Sequence, residues 1–319
     1  MRVVEVTSLP DVLTAIADII EYRNFDLPQE VEGENRIVQR GVAFETYCKD
    51  RLVGLPRDAD SAARASSYKR YLIYQGLSSH PPDAMYRLQG DAFEFKKRGG
   101  LPSYVMPLNS SFPKSVLSSS SSMLSKECRE CEPWNERALF YVNGGINKGS
   151  KTIDWIWIAD ASLMAAPSHH YEKVAKAVRD GISKIPRVKF SATKELGRAN
   201  NVDPLGVSSL RIRGMWSLDA PGKFFSSITG VSHSKEAPTL HAIMRESKWN
   251  AFEHSSRNRI VGLNGTTGFS FSKVAVTDPG ADDESIEAIL IRYQLPHSTM
   301  AADFVSSPDI AVGSSLGLY

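Results

Sequence analysis

The stretch Pro82-Asp83-Ala84-Met85-Tyr86-Arg87-Leu88-Gln89-Gly90-Asp91-Ala92-Phe93-Glu94-Phe95-Lys96-Lys97 is where the hydrophobic period changes to two. Ala84 to Leu88 reads as a strand, Gln89-Gly90 as a turn and Asp91 to Lys97 as the partner strand. Alternation puts Ala92, Glu94 and Lys96 on one face, and Phe93 and Phe95 on the other. The aromatic face is expected to bury against a helix and the charged face to border a cleft. Crossing the hairpin returns the chain to the neighbourhood of Asp83, so Asp83, Glu94 and Lys96 can meet.

Two acids and a lysine at one sheet edge are the minimum kit for hydrolysing a phosphodiester. A divalent ion held by carboxylates polarises phosphate and lowers the pKa of bound water. Magnesium takes one or two carboxylates and keeps waters and substrate phosphate as its other ligands. The spacing assigns Asp83 and Glu94 to the metal, with the carbonyl of Phe95 as a further candidate ligand. Lys96 is expected to orient or deprotonate the attacking water, its pKa lowered in a dry pocket. A second acid-x-lysine, Glu246-Ser247-Lys248, lies in a stretch read as helix, where residues two apart point away from each other. The bland alternative for the first is the charged face of a solvated hairpin.

Upstream, Asp11 to Tyr22 carries Val12, Ile16, Ile19 and Ile20 at helical spacing after Pro10. A polar connector from Asn24 to Asn35 precedes a second helix, Asn35 to Val53, with Ile37, Gly41, Phe44, Cys48 and Leu52 as its stripe. Glu45 falls at the edge of that stripe, facing solvent or the sheet; pairing with Lys49 is its plain reading. Downstream, Ser118 to Ser122 reads as a mobile loop without chemistry. Ala138 to Asn143 and Thr152 to Asp160 read as strands joined by a Gly-rich turn, with Trp155 and Trp157 as core. Tyr171 to Ile185 reads as a helix through Val174, Val178 and Ile182. Leu210 to Met215 is a short strand with Arg211 and Arg213 on one face. Beyond about Lys235 the pattern predicts one helix, Leu240 to Phe252, and two strands, Gly268 to Val276 and Ile286 to Gln294.

The 319 residues are 42% hydrophobic and 23% charged, ordinary globular composition with length enough for a sizeable core. The formal net charge of +2 neither requires nor excludes a nucleic-acid partner. Three cysteines, Cys48, Cys128 and Cys131, argue against a secreted disulfide framework. No apolar run approaches the roughly 20 residues of a membrane span, and Met1-Arg2-Val3-Val4-Glu5 lacks a signal core. The expectation is a cytoplasmic protein with no membrane partner. Without repeat or linker, residues 1–234 are read as a core and 235–319 as an extension packed on it.

Around the trio, Gly90-Asp91-Ala92-Phe93-Glu94-Phe95-Lys96-Lys97 and Leu108-Asn109-Ser110-Ser111-Phe112-Pro113-Lys114 resemble the active-site strand and LNSSxPK segment of the NgoPII-type restriction endonucleases. Cys128-Arg129-Glu130-Cys131-Glu132-Pro133-Trp134, Val202-Asp203-Pro204-Leu205-Gly206 and Leu210-Arg211-Ile212-Arg213-Gly214-Met215-Trp216 resemble that group too. Gly41-Val42-Ala43-Phe44-Glu45 resembles the G-x-x-F-E pattern of many restriction enzymes. The resemblance runs in patches from about Gln39 to Trp216. It implies an α/β (α+β) PD-(D/E)XK nuclease core, a central mixed sheet flanked by helices, with a carboxy-terminal α+β extension. It implies Mg2+ and cleavage of both strands of duplex DNA at a short palindromic, GC-rich site, leaving 5′-phosphate and 3′-hydroxyl ends. Asp83, Glu94 and Lys96 become the catalytic set, with Glu45 a linked acid.

Arginine reads guanine bidentately in the major groove, so Arg211 and Arg213 are base-reading candidates with Trp216 packed behind. Lys97, Asn109, Ser110, Ser111 and Lys114 suit phosphates or base edges, and Arg257 and Arg259 suit the DNA backbone. Cutting both strands of a palindrome favours a two-fold homodimer. Cys128-x-x-Cys131 lacks the four ligands of a zinc site and reads as packing. His169-His170 reads as surface or cap, and Gly144 to Lys151 fails the P-loop pattern because Ser150 stands where lysine must. The rival readings are a non-enzymatic nucleic-acid-binding protein and a repair or structure-specific nuclease of the same fold.

Overall fold

A computed structural model describes residues 9–28, 36–76, 80–100, 105–109, 111–147, 149–191, 196–230, 237–281 and 284–296. Helices Val12–Glu21 (α1), Arg36–Leu52 (α2) and Ser61–Tyr71 (α3) lead into strands Leu72–Gln75 (β1), Ala84–Tyr86 (β2) and Ala92–Arg98 (β3). Val105–Asn109 (β4), Val116–Ser118 (β5) and the short helix Lys126–Glu130 (α4) precede Glu136–Gly145 (β6) and Trp155–Asp160 (β7). Helix Ser168–Ser183 (α5) is followed by Lys189–Ser191 (β8), Gly197–Asn200 (β9), Ser209–Ile212 (β10) and Trp216–Asp219 (β11). Pro221–Phe224 (α6), Ser226–Thr229 (α7), Thr239–Arg245 (β12), Glu246–Ala251 (α8), His254–Gly262 (α9), Phe269–Thr277 (β13) and Ser285–Gln294 (β14) complete the described chain.

The main sheet runs β1-β2-β3-β6-β7-β12-β14-β13, with β5 also on β6. It is mixed: β3 lies parallel to β6 and β7 parallel to β12, while the other neighbours along this path are antiparallel. Residues beyond 235 contribute β12, β14 and β13 to this same sheet, so it passes straight through that position. Two smaller sheets, β10-β9-β8 and β11-β4, stand apart from it.

Both faces of the central strands of the main sheet are buried, which their compositions require. On one face Phe93, Phe95, Phe140, Ile156, Ile158, Leu240 and Tyr293 pack with α1 and α2. On the other, Met85, Ala92, Leu139, Tyr141, Trp155, Trp157, Ile243 and Leu290 form a second core with Cys128, Trp134 and Phe225. All six residues of β7 are buried, as a strand with no solvated side must be. The face expected to be left to a cleft is therefore covered over Ala92, and opens only toward Lys96. Helix α1 begins where Asp11 accepts the Thr14 N–H at 2.8 Å. Of the α2 stripe, Phe44, Cys48 and Leu52 are buried, and the side chain of Ile37 lies outside the described residues.

Two local expectations fail, and one holds with its apolar stripe turned outward. Leu240 to Phe252 is not one helix: Thr239–Arg245 is a strand and only Glu246–Ala251 continues as helix. A strand buried on both faces reads as an unbroken apolar run, which periodicity cannot separate from a buried helix. The Tyr171 to Ile185 helix exists, but Val174 and Val178 are 53% and 38% exposed and Ala175 is the one residue of α5 buried. The serine run is ordered into β5 and a turn in which Ser118 and Ser120 share a hydroxyl hydrogen bond of 2.8 Å. Helix α3 and strand β1 carry no clear amphipathic period and leave no mark in the sequence pattern.

Candidate active site

The hairpin β2–β3 builds the site. The main-chain N–H of Asp83 donates to Phe93 O at 2.9 Å, extending the β2–β3 ladder by one residue. Beyond it the backbone of β2 is replaced by a side chain: the Asp83 carboxylate accepts the Phe95 N–H at 2.6 Å. On the other side, Gly76 N–H donates to Asp83 O at 2.7 Å. A Cβ on Gly76 would stand 2.3 Å from Pro82 O and 2.9 Å from Asp83 Cα, so only glycine lets this approach occur. Asp83 is thus fixed from both edges.

Glu94 and Lys96 share a face of β3, as alternation predicts, and their side chains meet at 2.5 Å. Glu94 is 8% exposed, and its second carboxylate oxygen is buried without a hydrogen-bond partner among the described residues. Asn143 on β6, wholly buried, donates its amide to Lys96 O at 3.0 Å and anchors this end of β3. Glu45 lines the same cleft of about 430 Å³ with Asp83, Phe95, Lys96 and Lys97. Its carboxylate pairs with Lys49 at 2.6 Å, so both the cleft reading and the pairing reading describe it. The helix carrying Glu45 lies close on the sheet because Gly144 leaves room for the Phe44 ring, which a Cβ there would meet at 2.2 Å.

The electrostatics follow from this crowding. Burial, and next the charge of Glu94, pushes the Asp83 carboxyl up to about 7, against the pull of Lys96 and the Phe95 N–H. Lys96 moves opposite to expectation. Burial acts to lower its pKa, but the charges of Glu94 and Asp83 outweigh burial and raise it. Lys96 therefore stands as an ammonium, a donor and not a proton acceptor.

A buried pair of carboxylates, with one oxygen lacking any partner, suits a hard cation with oxygen ligands. Among the described residues no three His, Cys, Asp or Glu side chains converge as a metal cluster. The donor set is two acids, which is the number magnesium takes when water and substrate fill the remainder.

Lys114, expected at phosphates or base edges, is 7% exposed and lines a small pocket with Glu94, Ser111 and Tyr141. Its ammonium donates to the Ser111 hydroxyl and to Phe112 O at 3.2 Å. Burial pulls its pKa down to about 8, with Glu94 opposing. The segment holding it is fastened by Tyr141, whose hydroxyl accepts the Lys114 N–H at 3.2 Å. Nothing local in the sequence signals that Lys114, Tyr141 and Asn143 belong beside the acids, because each reaches them through long-range pairing.

The remaining candidates are dispersed. Ser110 and the side chain of Asn109 lie outside the described residues; the backbone of Asn109 pairs with Trp216 on β11. Arg211 is on exposed β10 and Arg213 just past it. Trp216 packs edge-on against Phe112 and Tyr171, at 6.3 and 5.7 Å between ring centroids. Through Phe112 it joins the Arg211–Arg213 segment to the loop of Lys114. Arg257 and Arg259 lie on α9: Arg257 donates to Phe252 O at 3.1 Å, and Arg259 pairs with Asp18 at 2.6 Å and with Glu21. Cys128 and Cys131 are free thiols, the Cys131 thiol donating to Cys128 O at 3.1 Å, in keeping with packing. Among the described residues no helix is long and apolar enough to cross a membrane.

A mixed sheet covered by helices, with two acids and a lysine where β2 and β3 meet, is the α/β architecture of a restriction-endonuclease-type nuclease. The profile of the NgoPII restriction endonuclease family matches residues 10–277. The type II restriction enzyme NgoPII of Neisseria gonorrhoeae is 32% identical over 285 residues, covering 89% of this chain and 100% of that relative. No solved structure matches. The chain belongs to the NgoPII restriction endonuclease family. It is a site-specific deoxyribonuclease.

Proposed function

We propose that the protein hydrolyses both strands of duplex DNA at a short palindromic, GC-rich site. Asp83 and Glu94 would hold Mg2+, with the carbonyl of Phe95 as a further ligand. The observation that carries this reading is the buried, unpartnered carboxylate oxygen of Glu94 beside the crowded acid Asp83. When bound, the ion lowers the pKa of water and neutralises charge on the phosphate. Lys96, held as an ammonium by the two acids, donates to the phosphate oxygens or places the attacking water. Glu45, kept in the cleft through Lys49, adds negative charge at its rim. A bond forms from the water oxygen to phosphorus and the bond to the 3′ oxygen breaks, leaving 5′-phosphate and 3′-hydroxyl ends.

Lys97, Asn109, Ser110, Ser111 and Lys114 are the proposed contacts to phosphates or base edges. Arg211 and Arg213 are the proposed guanine readers. Arg257 and Arg259 are assigned to the DNA backbone, a role for which Arg259 must leave Asp18 and Glu21. A homodimer supplies one site per strand. The outward apolar stripe of α5 supports it, since an exposed amphipathic face calls for a partner. Such an enzyme acts on DNA in the cytoplasm.

Incubation of the protein with unmethylated phage DNA tests the reading. Discrete fragments that appear with Mg2+ and vanish in EDTA are expected, and sequencing their ends gives the site and its symmetry. A folded, DNA-binding protein that yields no product with metal refutes it.

A further inference from the structure

We propose that Glu132 and Arg137 are positioning residues that lock the register of the active-site hairpin. This assigns a role to the segment from Cys128 to Trp134, which the cutting chemistry itself does not use. The inference rests on Asp83 and Glu94 being the metal-binding acids.

The turn between β2 and β3 is Arg87–Gly90, closed by Gly90 N–H to Arg87 O at 3.1 Å. Its central residues, Leu88 and Gln89, have φ of 54° and 60°. Two-residue hairpin loops of this kind are normally built from Asn-Gly or Asp-Gly, because both central residues must be left-handed. Leu88 and Gln89 are neither, and side chains with a full Cβ resist that region. Leu88 is 76% exposed, so packing of its side chain does not hold it there.

The backbone is held instead. The Glu132 carboxylate accepts Gln89 N–H at 2.8 Å and Leu88 N–H at 3.3 Å, gripping both left-handed residues at once. Arg137, 2% exposed, donates from one nitrogen to Tyr86 O at 2.7 Å and Gly90 O at 2.6 Å, spanning the two ends of the turn. Its other nitrogen bonds Glu132. The guanidinium lies over the Trp134 ring at 5.3 Å, and Trp134 donates to Cys128 O at 3.3 Å. A buried arginine and one carboxylate thus impose a conformation that the turn's own residues disfavour.

The consequence is catalytic because the turn sets the pairing Ala84 with Phe93 and Met85 with Ala92. A slip of one residue sends each side chain of a strand to the opposite face. Because β6 also holds β3 in register from Ala92 to Arg98, β2 is the strand that shifts: Asp83 would turn away from Glu94 and Lys96 and lose the Phe95 N–H.

Four variants test this: Glu132→Ala, Leu88→Asn/Gln89→Gly, the two combined, and Asp83→Asn as control. Cleavage of supercoiled plasmid is followed with Mg2+, and affinity for a duplex carrying a mapped cut site is measured in EDTA. Misplacing catalytic groups by about an ångström costs on the order of 100-fold, so Glu132→Ala should lower kcat by about that factor with KM and Kd unchanged. Because Asn-Gly adopts the turn unaided, the combined variant should recover most of the lost kcat. Wild-type kcat in Glu132→Ala, with Asp83→Asn inert, overturns the inference alone. Parallel loss of kcat, DNA affinity and melting temperature that the Asn-Gly turn does not repair also overturns it, leaving a merely structural bracket. Cutting by Asp83→Asn overturns the assignment of the acids and this inference with it.

Discussion

Replacing Asp83 by asparagine should stabilise the protein while ending its activity, and the size of the gain follows from the site. An acid whose titration midpoint moves from 3.8 to about 7 disfavours the folded state when ionised. At 1.36 kcal/mol per tenfold change in proton affinity, the ceiling is about 4 kcal/mol at pH 8. The substituted amide would still accept the Phe95 N–H, but a neutral acceptor forgoes roughly 1 kcal/mol of charge assistance. A net gain of about 2–3 kcal/mol remains, or on the order of 5 °C in Tm for a chain this long. The sign with pH is fixed by the raised folded-state value. The stability lent by the protonated acid is complete below 3.8 and lost as pH rises through about 7. The advantage of asparagine therefore grows across that window, and at pH 5 should be less than half its value at pH 8. Thermal melts of both proteins in EDTA at pH 8 and pH 5, with plasmid cleavage in Mg2+, provide the assay. A variant that melts at or below wild type at pH 8, or whose advantage is the same at both pH values, refutes the electrostatic argument.

Other perturbations have equally direct readouts. Gly76→Ala forces a Cβ to within 2.3 Å of Pro82 O; displacing that backbone should cost about 1–3 kcal/mol by melting and at least tenfold in cleavage, with DNA binding kept. Lys114→Met removes an ammonium whose pKa of about 8 lies below the ordinary 10.5, so it burdens the fold below pH 8 and not above about 10.5. Unchanged or higher Tm at pH 7 with much slower plasmid cleavage is expected, and full cleavage would show that its place beside Glu94 is incidental. Arg211→Ala should weaken binding to the cut site by about 1–3 kcal/mol and spare non-specific binding, as competition titrations would report; equal losses would make it a phosphate contact.

How much of this is legible in the sequence depends on whether a residue's neighbours are near it along the chain. Strand alternation places Glu94 and Lys96, and a short hairpin places Asp83, so three side chains come together without a structure. The turn itself reads one residue late, at Gln89-Gly90, because glycine is the local signal and Leu88 gives none. What imposes the true turn lies 43 to 51 residues away, in Glu132 and Arg137. Lys114 is legible as a cation but not as a buried one, since its burial is decided by Tyr141 across the second core. Strand β12 looks helical in the sequence because the sheet has no solvated face there. The helix α5 shows in its period, yet period alone does not say which side of a helix the protein covers.

These misreadings share a cause with the site's chemistry. The hairpin and the Lys114 segment gather an acid pushed toward neutrality, a carboxylate oxygen without a partner, a lysine whose charge the acids favour and another whose charge burial weakens. All but the Lys96 charge, which the two acids favour, are unfavourable to the bare fold, since buried charge and unsatisfied oxygen both cost free energy. A local sequence preference would not assemble them; long-range contacts such as Asn143 to Lys96 and Arg137 to the turn do. A ligand that binds only the folded state stabilises it in proportion to its occupancy. A divalent cation satisfying Asp83 and Glu94 should therefore raise Tm in wild type and fail to do so in Asp83→Asn, linking metal affinity and stability through the same two carboxylates.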